Sequence, residues 1–118
     1  MFVLIVGGGR TGTHLALQLL GQGHKVRVVE SGEAMLERLH EELPPEVILA
    51  GDGSSPSVLE SAGIREANVL AAVTNEDDAN LVVTSLARFE FNVPRIIARV
   101  NSPANAWLFT PEMGVDVA

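Results

Sequence analysis

The chain contains no cysteine, which removes disulfides, zinc–thiolate centres and thiol nucleophiles, and is compatible with a reducing compartment such as the cytoplasm. Basic residues are scarce as well: 8 Lys and Arg stand against 15 Asp and Glu, for a formal net charge of −7. That balance disfavours a general electrostatic grip on nucleic acid or an anionic membrane, so any phosphate has to be held by local geometry. No apolar run approaches the roughly 20 residues that span a bilayer. The opening Phe2-Val3-Leu4-Ile5-Val6 has no basic lead, and glycines interrupt it before it reaches signal-peptide length. It reads as a strand, and the chain by itself is expected to be soluble. Linkers and low-complexity stretches are also missing, and 118 residues suffice for one compact domain but not for two ordinary ones.

What the chain does have is alternation. About six short β-rich apolar runs, Phe2 to Val6, Val26 to Val29, Val47 to Ala50, Val69 to Val73, Arg95 to Ala98 and Val115 to Val117, are separated by helix-like segments. Right-handed crossovers predict an α/β, Rossmann-like doubly wound parallel sheet, order 3-2-1-4-5-6, with helices on both faces. The first helix is expected to start near Thr11, bury Leu15 and Leu19, and stop at Gly21 and Gly23. Ser31 is the expected N-cap of the second, whose stripe Met35, Leu39, Leu43 reads as core. Ser55-Pro56 reads as an N-cap with proline at the first helical position, and Gly63 closes that helix. A further helix runs from about Asp77 to Phe91, with Glu76-Asp77-Asp78 as acids at its positive end.

Directly after the first run stands Gly7-Gly8-Gly9-Arg10-Thr11-Gly12, a G-x-G-x-x-G turn that opens a helix. Gly7 permits the tight turn, Gly9 lets a pyrophosphate approach the backbone, and Gly12 lets helix and strand pack closely. Phosphates would then meet free backbone N–H groups at the helix start. Glu30 ends the second run, at about the roughly 20-residue distance expected of a ribose-binding acid, and its charge would repel a 2′-phosphate, favouring NAD or an adenine nucleotide over NADP. Arg10 is either a terminal-phosphate ligand or a solvated arginine. Asp52, Gly53 and Ser54 follow the third run on the same edge of the sheet, as adenosine contacts or as ordinary turn chemistry. Thr74 and Asn75 follow the fourth, as a wall of the same crevice or, for Asn75, as a helix cap. His14, His24 and His40 show no pairing at ligand spacing, and Trp107 and Phe109 read as core or assembly surface. No catalytic constellation or metal set emerges, and no stretch is left over for a substrate domain.

The ordered set Gly7-Gly8-Gly9-Arg10-Thr11-Gly12, Val28-Val29-Glu30, Gly51-Asp52-Gly53-Ser54, Val58-Leu59-Glu60-Ser61-Ala62-Gly63-Ile64, Ala72-Val73-Thr74-Asn75-Glu76-Asp77, Asn80-Leu81 and Ile97-Ala98-Arg99-Val100-Asn101 resembles the RCK-type nucleotide-binding domain, also called the TrkA-N or KTN domain, over essentially the whole chain. The resemblance implies a cytoplasmic, non-enzymatic regulator of a potassium channel or of a Trk or Ktr uptake system. It implies binding of NAD(H), ATP or ADP, assembly into a homo-oligomer, dimer or larger ring, and a membrane-embedded transport subunit as partner. Carried over by position, Gly7, Gly9, Thr11 and Gly12 belong to the phosphate turn and Arg10 reaches the terminal phosphate. Glu30 and the neighbouring Ser31 hold the ribose, while Asp52, Gly53, Ser54, Thr74 and Asn75 border the adenosine. Two features depart from the pattern. Family members usually run on into a crossover helix and a second regulatory subdomain, and Thr110-Pro111 stands where many relatives continue a helix, so no metal or interface residue carries over there. A small NAD-dependent oxidoreductase fragment is the alternative reading. An S-adenosylmethionine methyltransferase and a nucleotide-independent interaction module are the remaining ones.

Overall fold

The computed structural model describes residues 1–118 and builds the alternation into one parallel sheet. Its strands are β1 (Phe2–Val6), β2 (Lys25–Glu30), β3 (Ile48–Ala50), β4 (Val69–Ala72) and β5 (Arg95–Ala98), in the order β3-β2-β1-β4-β5. The helices are α1 (Arg10–Gly21), α2 (Glu33–Glu42), α3 (Pro56–Ser61) and α4 (Asp77–Ser85). β1 is the centre: Val6 pairs with Val29 on one side and with Ala72 on the other. All five of its residues are buried, which is why it reads as an unbroken apolar run and not as an alternating one.

The two faces divide the side chains by parity. Val3, Ile5, Val26, Val28 and Ala71 lie under α1 and α2, with Ala16, Leu39 and Leu43 buried among them. Phe2, Leu4, Leu70, Ala72 and Ile96 face the other way, against Leu59 of α3, Ala62 just after it and Val83 of α4. Full burial of a side chain such as Leu4, Leu39 or Ile96 contributes about 1.5–3 kcal/mol each. After β1 the chain crosses to β2 and β3, then returns over the sheet to β4 and β5. The loops after Val6 and Ala72 therefore diverge, and a crevice opens at the carboxyl edge between them.

Three of the expected elements need correction. The run Val115 to Val117 does not form a sixth strand; it contributes a single bridge, Val117 to Ile97. Gly114 turns the chain there at φ +97°, and the Asp116 carboxylate accepts the Ile96 N–H at 2.7 Å. A side chain thus takes a donor that a ladder would give to a backbone carbonyl. Ser31 does not cap α2: the chain is still extended at Gly32, which is the N-cap and offers no side-chain bond, and the Glu30 carboxylate holds this approach through the Ser31 and Gly32 amides. The helix begun at Asp77 is α-helical only to Ser85 and continues as a π-helical turn over Leu86–Glu90; Phe91 N–H donates to the Leu86 carbonyl, and Asn92 at φ 54° ends it. Ser55 is the N-cap of α3 and Pro56 its first residue, as expected, although the Ser55 hydroxyl faces Ser57 and bonds no helix amide.

Candidate functional site

The glycine turn is packed on three sides, and each glycine answers to a different neighbour. Gly7 sits at φ +117°, and a Cβ there would stand 2.9 Å from the Thr74 amide nitrogen at the end of β4. A Cβ on Gly12 would collide with the Gly7 carbonyl oxygen, and one on Gly8 would run into Leu39. These three glycines are required by the chain's own packing. Gly9 is not: its φ of −74° and ψ of −164° suit any residue, and an added Cβ would meet only the Met35 side chain, at an ordinary 3.6 Å. Open space lies over Gly9, in a cleft of about 650 Å³. A methyl there would narrow the cleft and leave the protein's packing undisturbed.

Gly9 is also the N-cap of α1 and offers no capping side chain, and the first turn of that helix carries no acid. The amides of Arg10, Thr11 and Gly12 have no helical partner one turn back, as at any helix start. Three amides, the positive end of a 12-residue helix and a clear approach over Gly9 make a cradle that fits a phosphate group. Gly7, Gly9, Arg10, Glu30, Ser31, Asp52, Gly53, Ser54, Thr74 and Asn75 all line this cleft. Gly12 lies beneath it, buried. Thr11 faces a neighbouring cavity of about 810 Å³ that shares Arg10, Val73 and Arg99 with the first.

The acid at the end of β2 does more than its position predicted. Glu30 Oε1 accepts the Gly8 N–H at 2.6 Å, while Oε2 accepts the amides of Gly32 at 2.7 Å and Ser31 at 3.0 Å. The half-buried carboxylate therefore ties the glycine turn to the start of α2. Of about four lone-pair directions, three are engaged and one side still faces the cleft. At the next loop, the Ser54 hydroxyl and amide both donate to Asp52 Oδ1, at 2.7 and 2.9 Å. Those two bonds, the hydroxyl's foremost, hold the Asp52 carboxyl below its ordinary value. Gly53 lets this loop lie against the end of β1, since a Cβ there would strike Val6.

The far wall carries residues that sequence reasoning passed over. Asn80, fully buried in α4, accepts from the Thr74 amide at 3.0 Å and hydroxyl at 2.7 Å, and donates to the carbonyls of Thr74 and Arg99. Asp77 accepts from the Asn101 amide at 2.6 Å and from the Ser102 amide and Asn105 side chain, each at 2.9 Å. The bond from the Asn101 amide, then those from Asn105 and Ser102, hold its carboxyl far below the usual carboxylate range. Asp77 is thus a tie between loops as well as a helix-start charge. Asn75, by contrast, lines the cleft and is not the helix cap, which is Glu76. Met35, expected in the core, lines the cleft beside Gly9. Arg99 enters the cleft from the end of β5, its Nη1 donating to Thr11 Oγ1 at 3.2 Å. Both residues stand in blocks that carry the family resemblance, Asn80 also as an amide in an otherwise apolar helix stretch; nothing in the spacing pointed Arg99 toward Thr11, 88 residues away. Of the aromatics, Phe109 is buried with Ala98 and Val115, whereas Trp107 is 73% exposed.

A five-stranded Rossmann sheet with a glycine-lined cleft at its switch point is the architecture of a nucleotide-binding α/β domain. The TrkA-N domain model matches residues 3–118, and the chain belongs to that family. The Trk system potassium uptake protein TrkA of Mycobacterium tuberculosis (strain ATCC 25618 / H37Rv) is 38% identical over 118 residues, which is 100% of this chain and 53% of that protein. The TrkA homolog of Methanothermobacter thermautotrophicus is 39% identical over 116 residues, 98% of this chain and 52% of the relative. The chain therefore spans about half the length of the curated relatives it matches. Among solved structures, GsuK bound to ADP superposes with a TM-score of 0.82 at 26% identity, covering 98% of this chain and 29% of that one. The GsuK channel bound to NAD gives 0.82 and 26%, over 98% of this chain and 20% of that one. No helix of this chain is long and apolar enough to cross a membrane.

Proposed function

We propose that this domain binds an adenine nucleotide in the cleft over Gly9 and acts, without turning the nucleotide over, as a regulatory element of a potassium transport system. The space above Gly9 carries the reading. A glycine with ordinary dihedrals and no close neighbour has no structural role, but it admits a phosphate to the amides of α1. Gly7, Gly9, Arg10, Thr11 and Gly12 form the phosphate side of the site. Glu30 and Ser31 meet the ribose, and Asp52, Gly53, Ser54, Thr74 and Asn75 border the nucleoside. The GsuK structures with ADP and with NAD support an adenine nucleotide as the ligand class, and the TrkA relatives support potassium uptake as the setting. In this reading the domain sits at the cytoplasmic face of a membrane, held there by a transport subunit and by other copies of itself. The nucleotide biases its conformation by binding one state more tightly than another.

Thermal melting of the purified chain with ATP, ADP, NAD, NADH, NADPH and S-adenosylmethionine tests this directly. Ligand at about 100 times its dissociation constant adds about 2.7 kcal/mol of stability. A rise with an adenine nucleotide that is lost in Gly9→Asp and reduced in Glu30→Ala is the expected result. A chain that melts identically with and without every one of these compounds would refute the proposal. Oxidation of NADH with any of a panel of carbonyl substrates would favour the oxidoreductase alternative.

A further inference from the structure

Resting on that reading, we infer that Met35 is a site of reversible oxidation, at which conversion of the thioether to a sulfoxide by a peroxide weakens nucleotide binding in the cleft. The inference begins with a stripe that runs out of core. In α2, Leu39 and Leu43 are buried, and Met35 continues the same face one turn earlier but only half-buried. The glycine turn explains the difference. Leu39 packs against Gly8, whereas Met35 packs against Gly9, where the cleft opens. Of the chain's other methionines, Met1 and Met113 line neither this cleft nor the cavity beside it.

What surrounds the sulfur gives its oxidation a consequence. A Cβ on Gly9 would stand 3.6 Å from the Met35 Cε and 3.8 Å from its Sδ. Gly9 is the N-cap of α1, and no side chain caps that helix. A capping side chain reaches the amides of the first turn with an oxygen just beyond its Cβ. The Met35 sulfur therefore flanks the space in which such an oxygen would sit, beside amides that have no helical partner. The thioether leaves those amides free, since it is at most a weak acceptor, and it gives the cleft an apolar, polarizable wall. Any apolar residue would finish the α2 stripe, but only methionine among them switches from apolar to polar and back.

The chemistry balances with a peroxide as oxidant. A sulfur lone pair attacks one oxygen of hydrogen peroxide, the O–O bond breaks as the S–O bond forms, and the other oxygen leaves as water. The sulfur gives up two electrons and the peroxide takes them. The new oxygen is a strong acceptor one bond from the sulfur, in the space a capping oxygen would use. It takes the amides of α1, and the phosphate loses its donors. A dithiol acting through a methionine sulfoxide reductase reverses the step: the oxygen leaves as water and the dithiol becomes a disulfide. Because Met35 borders the open cleft and not the closed core, the added oxygen requires no repacking.

Calorimetric titration of the whole chain with ADP, before and after treatment with hydrogen peroxide, tests the assignment, with mass spectrometry reporting which methionines carry oxygen. In wild type, oxidation at Met35 should weaken ADP about tenfold, and methionine sulfoxide reductases with a dithiol should restore it. Met35→Leu keeps an apolar side chain of similar volume, so it should bind ADP within about twofold of wild type. Peroxide should leave that affinity unchanged even as Met1 and Met113 are oxidised. Ligand-free melting of the oxidised wild type should stay at its untreated temperature, which separates a blocked cleft from a damaged core. A fully oxidised Met35 with unchanged ADP affinity, an equal loss in treated Met35→Leu, or a loss accompanied by lower ligand-free melting would overturn the inference while leaving nucleotide binding intact. An untreated wild type that binds no ADP would remove this inference, and the proposed function with it if ATP and NAD also fail to bind.

Discussion

Gly9 and Gly12 stand three residues apart in one turn, and replacing them should have opposite effects. At Gly9 the dihedrals fall in the extended region typical of an N-cap, and the nearest atom to a new Cβ is 3.6 Å away. Aspartate is among the best N-cap residues, but glycine is also favoured there, and the exchange gains only a few tenths of a kcal/mol. Gly9→Asp should therefore melt at or slightly above the wild-type temperature in the absence of ligand. Its carboxylate would occupy the amides intended for a phosphate and repel the phosphate's charge, so the ADP-induced rise should vanish. At Gly12 a Cβ overlaps the Gly7 carbonyl oxygen, and the backbone of helix or turn has to move. Overpacking of this kind costs about 1–3 kcal/mol, more than the roughly 1 kcal/mol that alanine gains over glycine within a helix. For a domain of this size 1 kcal/mol shifts the melting temperature by roughly 4 °C, so a differential scan resolves both effects. Gly12→Ala should fall by several degrees and Gly9→Asp should not. A Gly9→Asp protein that melts well below wild type, or that keeps its full response to ADP, would refute the assignment of that position to a ligand.

Three further outcomes follow from the polar ties around the cleft. Asn80→Ala strips a fully buried hub and leaves the Thr74 amide and the Arg99 carbonyl without partners. It should cost about 2–3 kcal/mol in urea unfolding, and a loss under about 0.5 kcal/mol would show that water replaces the amide freely. Glu30→Gln replaces a carboxylate that accepts three amides by a group with one acceptor oxygen. About 1–2 kcal/mol of stability should go with it before any ligand is added, and an unchanged melting curve would count against the tie. Asp77 has its carboxyl held below the ordinary value of 3.8, so the folded chain binds fewer protons than the unfolded chain once the pH falls below about 4. Its stabilisation is fully present above that value and is lost as the pH drops toward the depressed one. Melting followed from about pH 5 to about pH 2 should thus fall more gently in Asp77→Asn than in wild type. Parallel curves would sink this account.

The fold was legible because its signals are local and mutually consistent. Five apolar runs, the glycine turn opening α1, and Gly23 and Gly63 in left-handed conformations after their helices each follow from a few neighbouring residues. The last run was misread for the same reason. Val115 to Val117 has the composition of a strand, but the Asp116 side chain reaches back to Ile96 and Arg88, and a preference of three residues yields to those bonds. The helix after Asp77 likewise has a continuous pattern, and nothing within it marks the change to π-helical spacing beyond Ser85.

At the cleft, sequence alone determined which residues reach the carboxyl edge of the sheet: strand ends are set by apolar periodicity, and the parallel order sends Gly7, Glu30, Asp52 and Thr74 to the same side. It could not determine what their side chains do there. Glu30 was recognisable as an acid at a strand end, but its hold on three backbone amides depends on how the glycine turn comes to rest beside α2. Gly7, Gly9 and Gly12 form one motif in the sequence. Only the packed structure separates the two that the chain needs for itself from the one that leaves space. Arg99 and Asn80 acquire their roles entirely from the return of β4 and β5 beside β1, since a hydrogen bond between residues 88 positions apart leaves no trace in spacing. Periodicity is a property of neighbours along the chain, and convergence is a property of the fold.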